Sequence, residues 1–317
     1  MSQEIGQEKL ERHIFQFSVM QTRQEACSAH SLKELCMRRP QGFMALIPPF
    51  FLDCIVAIGL LANDGSKHWV ATGFMYGEFY EKVSDETQRY HTFLVTNRHV
   101  LAGKTLMFVR ANVEGKEPAK EFKLPLQDDK GRPIWFSHPD PAVDIAVVPT
   151  GFDAIRQEHK LRLNFFRSDA HVLDLSSASK LGVSEGDGVY VLGFPMELVG
   201  GEQNYVIARQ GIIARIRDAL SGSAKEFLID TTIFPGNSGG PVIIRPEAVA
   251  IQGTQPLGSA NLIGVVKGYL PYSEMAISTQ TNQPRIIFQE NSGLAQIIPI
   301  DLVNETIAAY WKSKEHH

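Results

Sequence analysis

Phe234-Pro235-Gly236-Asn237-Ser238-Gly239-Gly240-Pro241-Val242-Ile243-Ile244 sets three glycines around a serine and then runs directly into a β-branched stretch. Glycines admit backbone conformations closed to other residues, so the first part reads as a tight turn. Pro241 followed by Val242-Ile243-Ile244 favours extended backbone, so the element after the serine is a strand and not a helix. Outward from this stretch the texture is the same. From Phe51 onward, short runs rich in Val, Ile, Phe and Tyr alternate with turn clusters such as Asn63-Asp64-Gly65, Asp128-Asp129-Lys130-Gly131 and Ser184-Glu185-Gly186-Asp187-Gly188. Strands are expected at 51–61, 69–76, 92–97, 104–111, 144–149, 189–194, 204–216, 226–232, 241–245 and 262–270, which makes the chain all-β with barrels or a sandwich. Segment 150–187 reads as a connector with a helical turn or two between two β-rich halves. Pro299-Ile300-Asp301 reads as a helix start with Asp301 as N-cap, after which Val303, Ile307, Tyr310 and Trp311 share one face. Residues 7–39 are helix-permissive and form an N-terminal helical extension in this reading.

The bulk numbers bound the function classes. The chain has 317 residues, 44% hydrophobic and 21% charged, as in ordinary soluble globular proteins. A net charge of −4 argues against nucleic acid as the main partner. Three cysteines, Cys27, Cys36 and Cys54, all lie in the first fifth of the chain, and an odd number forms no closed disulfide framework. The polar, acidic start does not read as a secretory signal, so a reducing, cytoplasmic setting is expected. The apolar stretch from Phe43 to Ala62 has the length of a membrane span. Pro48-Pro49 would break such a helix and Asp53 would place a charge in hydrocarbon, so a buried strand is expected there and no membrane. No metal-ligand spacing and no phosphate-binding loop is found, so no cofactor is expected.

The chemistry starts at Ser238. If the turn aims the N–H groups of Gly236 and Ser238 at a common point, they can hold an oxyanion while Ser238 Oγ attacks a carbonyl. A serine hydroxyl needs a general base within reach and a third group to hold that base. In Phe93-Leu94-Val95-Thr96-Asn97-Arg98-His99-Val100-Leu101, His99 sits where a strand ends, a position from which a side chain reaches a cleft. In Asp140-Pro141-Ala142-Val143-Asp144-Ile145-Ala146-Val147-Val148, Asp144 opens an aliphatic strand that partly buries it, and a buried carboxylate requires partners. Asp140, before a proline, reads as a turn residue.

Chain order is an independent test. A Gly-Xaa-Ser-Xaa-Gly stretch also marks α/β-hydrolases, whose acid and histidine follow the serine. After Ser238 the histidines are the terminal His316 and His317 and the one aspartate is Asp301, so that order cannot be built. The subtilisin order needs a helix after the serine, against Pro241 and Val242-Ile243-Ile244. The order His99, Asp144, Ser238 is left as a catalytic triad.

With these residues in place the sequence resembles the chymotrypsin-like serine peptidases, and within them the bacterial-type branch of the HtrA/Deg proteases. The resemblance rests on Ala71-Thr72-Gly73-Phe74, Val95-Thr96-Asn97-Arg98-His99-Val100, Asp144-Ile145-Ala146-Val147 and Gly236-Asn237-Ser238-Gly239-Gly240-Pro241. Between and after these, Gly186-Asp187-Gly188-Val189 to Gly193-Phe194-Pro195, and Gly211-Ile212-Ile213, look like the second half's strands. It covers roughly residues 51 to 310. It implies two packed six-stranded β-barrels, with an extension over 1–45 and a protease domain over 46–317. His99 and Asp144 fall on the first barrel (46–165) and Ser238 on the second (180–317), which carries the C-terminal helix. It implies a serine endopeptidase that takes a protein or peptide substrate. The alternative is a catalytically latent or inactive peptidase-like scaffold that binds peptides or partners.

Departures from the family carry their own expectations. No residues remain for the PDZ domain that HtrA proteins usually carry. Asn237 replaces the aspartate that in digestive relatives pairs with a freed N-terminus, so activation by N-terminal cleavage is not implied. The extension is a place for a regulatory partner. By the resemblance, Thr232 matches the floor of the primary pocket, with Val266, Lys267 and Gly268 on its wall. A neutral floor implies an uncharged residue before the scissile bond, unless Lys267 faces inward. Tyr272 to Ser292 is long, polar and poorly patterned, and reads as a segment over the cleft.

Overall fold

In the computed structural model, residues 45–247 and 257–315 are described. The expected helical extension, with Cys27 and Cys36, lies outside them. Fourteen strands follow in order: β1 (Ile55–Leu61), β2 (Lys67–Lys82), β3 (Gln88–Thr96), β4 (Leu106–Ala111), β5 (Lys120–Pro125), β6 (Phe136–Ser137), β7 (Ala146–Pro149), β8 (Phe166–Arg167), β9 (Gly188–Gly193), β10 (Ile207–Arg215), β11 (Phe227–Asp230), β12 (Pro241–Ile244), β13 (Asn261–Ile277) and β14 (Pro284–Pro299). The fold is all-β, with short helices between strands and a closing helix Ile300–Glu315.

The second half is a closed six-stranded barrel, β10-β11-β14-β13-β12-β9. The first half corrects the expectation of a second closed barrel. It is an eight-stranded sheet in the order β5-β4-β1-β2-β3-β7-β6, with β8 added in parallel to β2. Its outer strands β5 and β6 do not pair with each other; an isolated bridge, Gln127 with Pro133, lies in the connection between them. Pro125 ends β5 and Pro133 sits at the bridge; neither has an N–H to donate, and the two-residue β6 is too short to supply a ladder. The sheet still curls around one core, in which Leu124 and Leu126 meet Val56, Ile58, Leu94 and Val148.

The continuous apolar run after the serine is explained by burial on both faces. In β12, Val242 and Ile244 point into the barrel core while Ile243 points into the layer between the halves. In β9 the same split puts Val189 and Val191 inside and Tyr190 and Leu192 outside, so neither strand alternates apolar with polar. The layer between the halves also takes Phe51, Phe74 and Phe93, and the closing helix seals it with Val303 and Ile307, Tyr310 and Trp311 packing alongside. Asp301 does not cap that helix, which starts at Ile300. Its carboxylate instead accepts from the N–H of Leu175, at the start of helix Leu175–Leu181.

Two further expectations shift. Over 51–61, a helical turn at Pro49–Leu52 precedes the strand, because Pro49 suits the first turn of a helix; Cys54 beyond it is buried. Tyr272 to Ser292 is not an irregular cover. It is the outer part of a β13–β14 hairpin, and of that hairpin only Gly268 and Tyr269 line the cleft.

Candidate active site

The one-turn helix Arg98–Leu101 begins where β3 ends, because Asn97 keeps extended backbone and the chain turns at once. That turn lies against the start of β7. Asn97 Nδ2 donates to the carbonyl of Asp144 at 2.9 Å, and the Arg98 N–H reaches the same oxygen. The buried carboxylate of Asp144 then takes two bonds from His99: the backbone N–H on Oδ1 at 2.9 Å and the ring Nδ1 on Oδ2 at 2.5 Å. A carboxylate only accepts, so Nδ1 is the donor of this bond, and in the neutral ring Nε2 is then the acceptor. Asp140 is engaged elsewhere, with the N–H of Ala142 and with Lys225.

The serine loop is held by contacts from three directions. Thr72, buried in β2, donates its hydroxyl to the carbonyl of Gly236 at 2.7 Å and accepts from the N–H of Phe194 at 3.1 Å. Its own N–H donates to the carbonyl of Ser238 at 2.9 Å, and its carbonyl accepts from Thr96 Oγ1. Gly239 donates to Val266 on the other side. The approach is so close that a Cβ on Gly236 would lie 2.2 Å from the carbonyl oxygen of Phe194, and one on Gly239 would lie 2.2 Å from that of Thr72. Both glycines also have positive φ, +101° and +80°. Phe234–Asn237 is a turn with Pro235 second and Gly236 third, closed by the N–H of Asn237 on the carbonyl of Phe234.

Peptide planarity carries the orientation further. The carbonyl of Pro235 accepts from the N–H of Met196 at 2.7 Å, and that of Asn237 accepts from the N–H of Gly240 at 2.9 Å. The peptide bonds before Gly236 and Ser238 are trans, as are all those among the described residues, so the N–H groups of Gly236 and Ser238 point the opposite way. Among the described residues neither donates to a protein acceptor. Met196 and Glu197, next to this anchor, both adopt left-handed backbone, with φ 53° and 61°. Glu197 is tied to His68 Nδ1 at 3.0 Å.

His99, Gly236 and Ser238 line one cleft of about 370 Å³ with Val70, Ile233, Phe234, Pro235, Gly268 and Tyr269. The hydroxyl of Ser238 donates to the carbonyl of Lys267 at 3.4 Å and makes no hydrogen bond to His99. Of the four residues expected to form the primary pocket, only Gly268 lines the cleft. Thr232 is exposed, Val266 belongs to the barrel core, and Lys267 pairs with Glu226 at 2.6 Å. A bulge between Val266 and Gly268 is the cause: it turns the carbonyl of Lys267 to the serine and its side chain toward Glu226. The wall is instead Ile233, Phe234 and Tyr269, which sequence reasoning did not select. Thr72 was also passed over as a positioning residue, although it stood within a quoted motif. Among the described residues, no three His, Cys, Asp or Glu side chains converge as metal ligands, and no helix is long and apolar enough to cross a membrane.

With fold and geometry established, comparison with known proteins places the chain in a class. Residues 71–250 match the trypsin-like peptidase domain, and the chain belongs to that family of chymotrypsin-like serine peptidases. Among solved structures it is similar to a crystal structure of the MamO protease domain from Magnetospirillum magneticum in its apo form. The two share 13% identity over 80% of this chain and 96% of that one, with a TM-score of 0.41. No curated protein sequence matches.

Proposed function

We propose that this trypsin-like domain is a serine endopeptidase that works through an acyl-enzyme. The observation that carries the reading is the doubly bonded Asp144–His99 pair facing a cleft that also holds Ser238 and two undonated N–H groups. When a peptide enters, Ser238 Oγ leaves the carbonyl of Lys267, donates its proton to His99 Nε2 and bonds to the scissile carbonyl carbon. The oxygen becomes an oxyanion held by the N–H groups of Gly236 and Ser238. Asp144 keeps the ring in the needed tautomer and stabilises the imidazolium. His99 then passes the proton to the leaving amine, the C–N bond breaks, and water repeats the sequence to free the acid. Ile233, Phe234 and Tyr269 give the cleft an uncharged wall, which suits an uncharged side chain before the scissile bond.

A second reading is a latent or purely binding scaffold. The observation favouring it is the Ser238 hydroxyl turned to Lys267 and not to His99. Labelling of the purified protein by a fluorophosphonate serine probe, beside Ser238→Ala and His99→Ala, separates the two. The peptidase reading expects labelling of the wild type and its loss in both variants. A folded wild type that does not label supports the latent reading.

A further inference from the structure

The turn Pro195–Glu197 after β9 carries strain at two consecutive positions, since Met196 and Glu197 are both left-handed and neither is glycine. Such backbone persists only where the surroundings hold it. The Met196 side chain is half exposed and joins none of the hydrophobic cores among the described residues. Two contacts tie the pair to distant parts of the chain: the Met196 N–H on the carbonyl of Pro235 at 2.7 Å, and the Glu197 carboxylate on His68 Nδ1 at 3.0 Å. The first fixes the Pro235–Gly236 peptide plane and with it the direction of the Gly236 N–H. The second acts on the same turn one residue later. Further along, Arg110 of β4 donates to the carbonyls of Val199, Gly200 and Gly201, which anchors the loop beyond the strained pair.

His68 is held from both sides. Its Nε2 lies 2.9 Å from Ser66 Oγ, and that hydroxyl donates its one hydrogen to Asp64 Oδ1 at 2.5 Å. Hydrogen bonds from the Ser66 hydroxyl and N–H keep the Asp64 carboxyl below its ordinary pKa, so Asp64 stays an acceptor. With its hydrogen committed to Asp64, Ser66 Oγ accepts from Nε2. The carboxylate of Glu197 only accepts, so Nδ1 is a donor too. A histidine ring with two donors is an imidazolium. The other charged members of this network are two carboxylates, Asp64 and Glu197. The neighbouring Lys67 alternates to the other face of β2, where it pairs with Glu121 and lies over Trp69, and β1 sets Leu60 opposite His68.

On the peptidase reading above, we propose that Glu197, clamped by His68 in its charged form, is a positioning residue for the oxyanion donor Gly236. When His68 gives up a proton, one of its two bonds is left without a donor and the attraction to Glu197 is lost. The left-handed pair then relaxes, the Met196 N–H leaves Pro235, and the Gly236 N–H turns from the cleft. Neither Glu197 nor His68 touches the reacting atoms. Histidine changes charge between about pH 5 and 8, so the clamp opens as pH rises. That is opposite in sign to His99, which acts as a base only when neutral.

The test is the rate of fluorophosphonate labelling across that pH range for the wild type, Glu197→Ala, His68→Ala and Glu197→Gln. At the acid end each alanine variant is expected to label about tenfold slower than the wild type, less than the ~10²–10³-fold of losing an oxyanion donor outright. The two changes together are expected to cost no more than either alone, and Glu197→Gln, which keeps an acceptor for Nδ1, to recover part of the rate. The ratio of wild type to variant is expected to shrink as pH rises; His99 and Ser238 are common to both proteins and cancel from it. An exposed ion pair adds little to global stability, so the thermal melts are expected to stay together. Equal rates, or a ratio that does not change with pH, overturn the proposal. Hydrogen exchange of the Met196 amide, followed by NMR, reads the clamp without catalysis: its protection factor is expected to fall about tenfold in Glu197→Ala. A folded wild type that does not label removes the peptidase reading; Met196 protection then decides the clamp, and equal protection in wild type and variant overturns it.

Discussion

The two parts of the candidate site are built in different ways. The His99–Asp144 pair is assembled within the first half, by the Asn97 side chain and two backbone N–H groups bonded to one aspartate. The serine loop borrows its shape from outside itself: from Thr72 across the layer between the halves, from Met196 on the loop after β9, and from Val266 on β13. The base is therefore a local construction and the nucleophile a tertiary one. Changes to packing between the halves should disturb Ser238 before they disturb His99.

The sharpest way to isolate the local half is Asp144→Asn. An amide can offer Nδ1 a donor, which reverses the tautomer and leaves Nε2 protonated. The rate of fluorophosphonate labelling should fall roughly 10³–10⁴-fold, by analogy with the same change in trypsin, with little change in thermal midpoint. A labelling rate within tenfold of wild type would mean that Asp144 does not orient the base.

Thr72→Val tests the borrowed half with a side chain of the same shape. It removes the donor to the Gly236 carbonyl and the acceptor for the Phe194 N–H, both buried. Unsatisfied buried groups cost ~1–3 kcal/mol each, so a loss of about 2–4 kcal/mol is expected in a denaturant titration. Labelling should slow about 10–100-fold under conditions where the variant is fully folded, as the Gly236 peptide loosens. If stability falls and the labelling rate does not, the serine loop holds its shape without the first half and the contrast fails.

The last effect, remote from the serine, concerns the layer between the halves itself. His171 is half-buried against Phe50 and Phe51 and accepts from the N–H of Arg167. Burial, reinforced by the Arg167 charge, lowers its pKa to about 3. Its ordinary value is about 6.5, so below that pH the unfolded chain binds a proton that the folded chain refuses. Stability should therefore fall as pH drops from about 6.5 toward 3, at up to ~1.4 kcal/mol per unit from this group. His171→Asn should flatten that part of the wild-type stability curve in chemical denaturation. Parallel curves for the two proteins would show that His171 takes up its proton in the folded state.

Much of this was legible in the residues because local rules sufficed. Glycines around Ser238, a polar turn after the β3 run and an aspartate opening an aliphatic strand each follow from short-range chemistry. Most strands over 51–270 could be read from β-branched texture, but β5, β6, β8 and β14 could not. β6 and β8 have two residues each, too few for periodicity. β14 carries Gln289-Glu290-Asn291-Ser292-Gly293, which read as loop because its outer part joins none of the hydrophobic cores among the described residues.

The sequence by itself determined the class of fold, the order of the three candidate catalytic residues along the chain, and the need for glycine beside the serine. Those depend on backbone freedom, side-chain chemistry and spacing. Only the tertiary structure decided that the first half stays open, that Lys267 turns from the cleft while Tyr269 lines it, and that Thr72 and Met196 set the peptide planes beside Ser238. These rest on which distant backbone groups meet: two prolines where a ladder would close, a bulge that shifts one residue, and carbonyls anchored across a layer that no local pattern records.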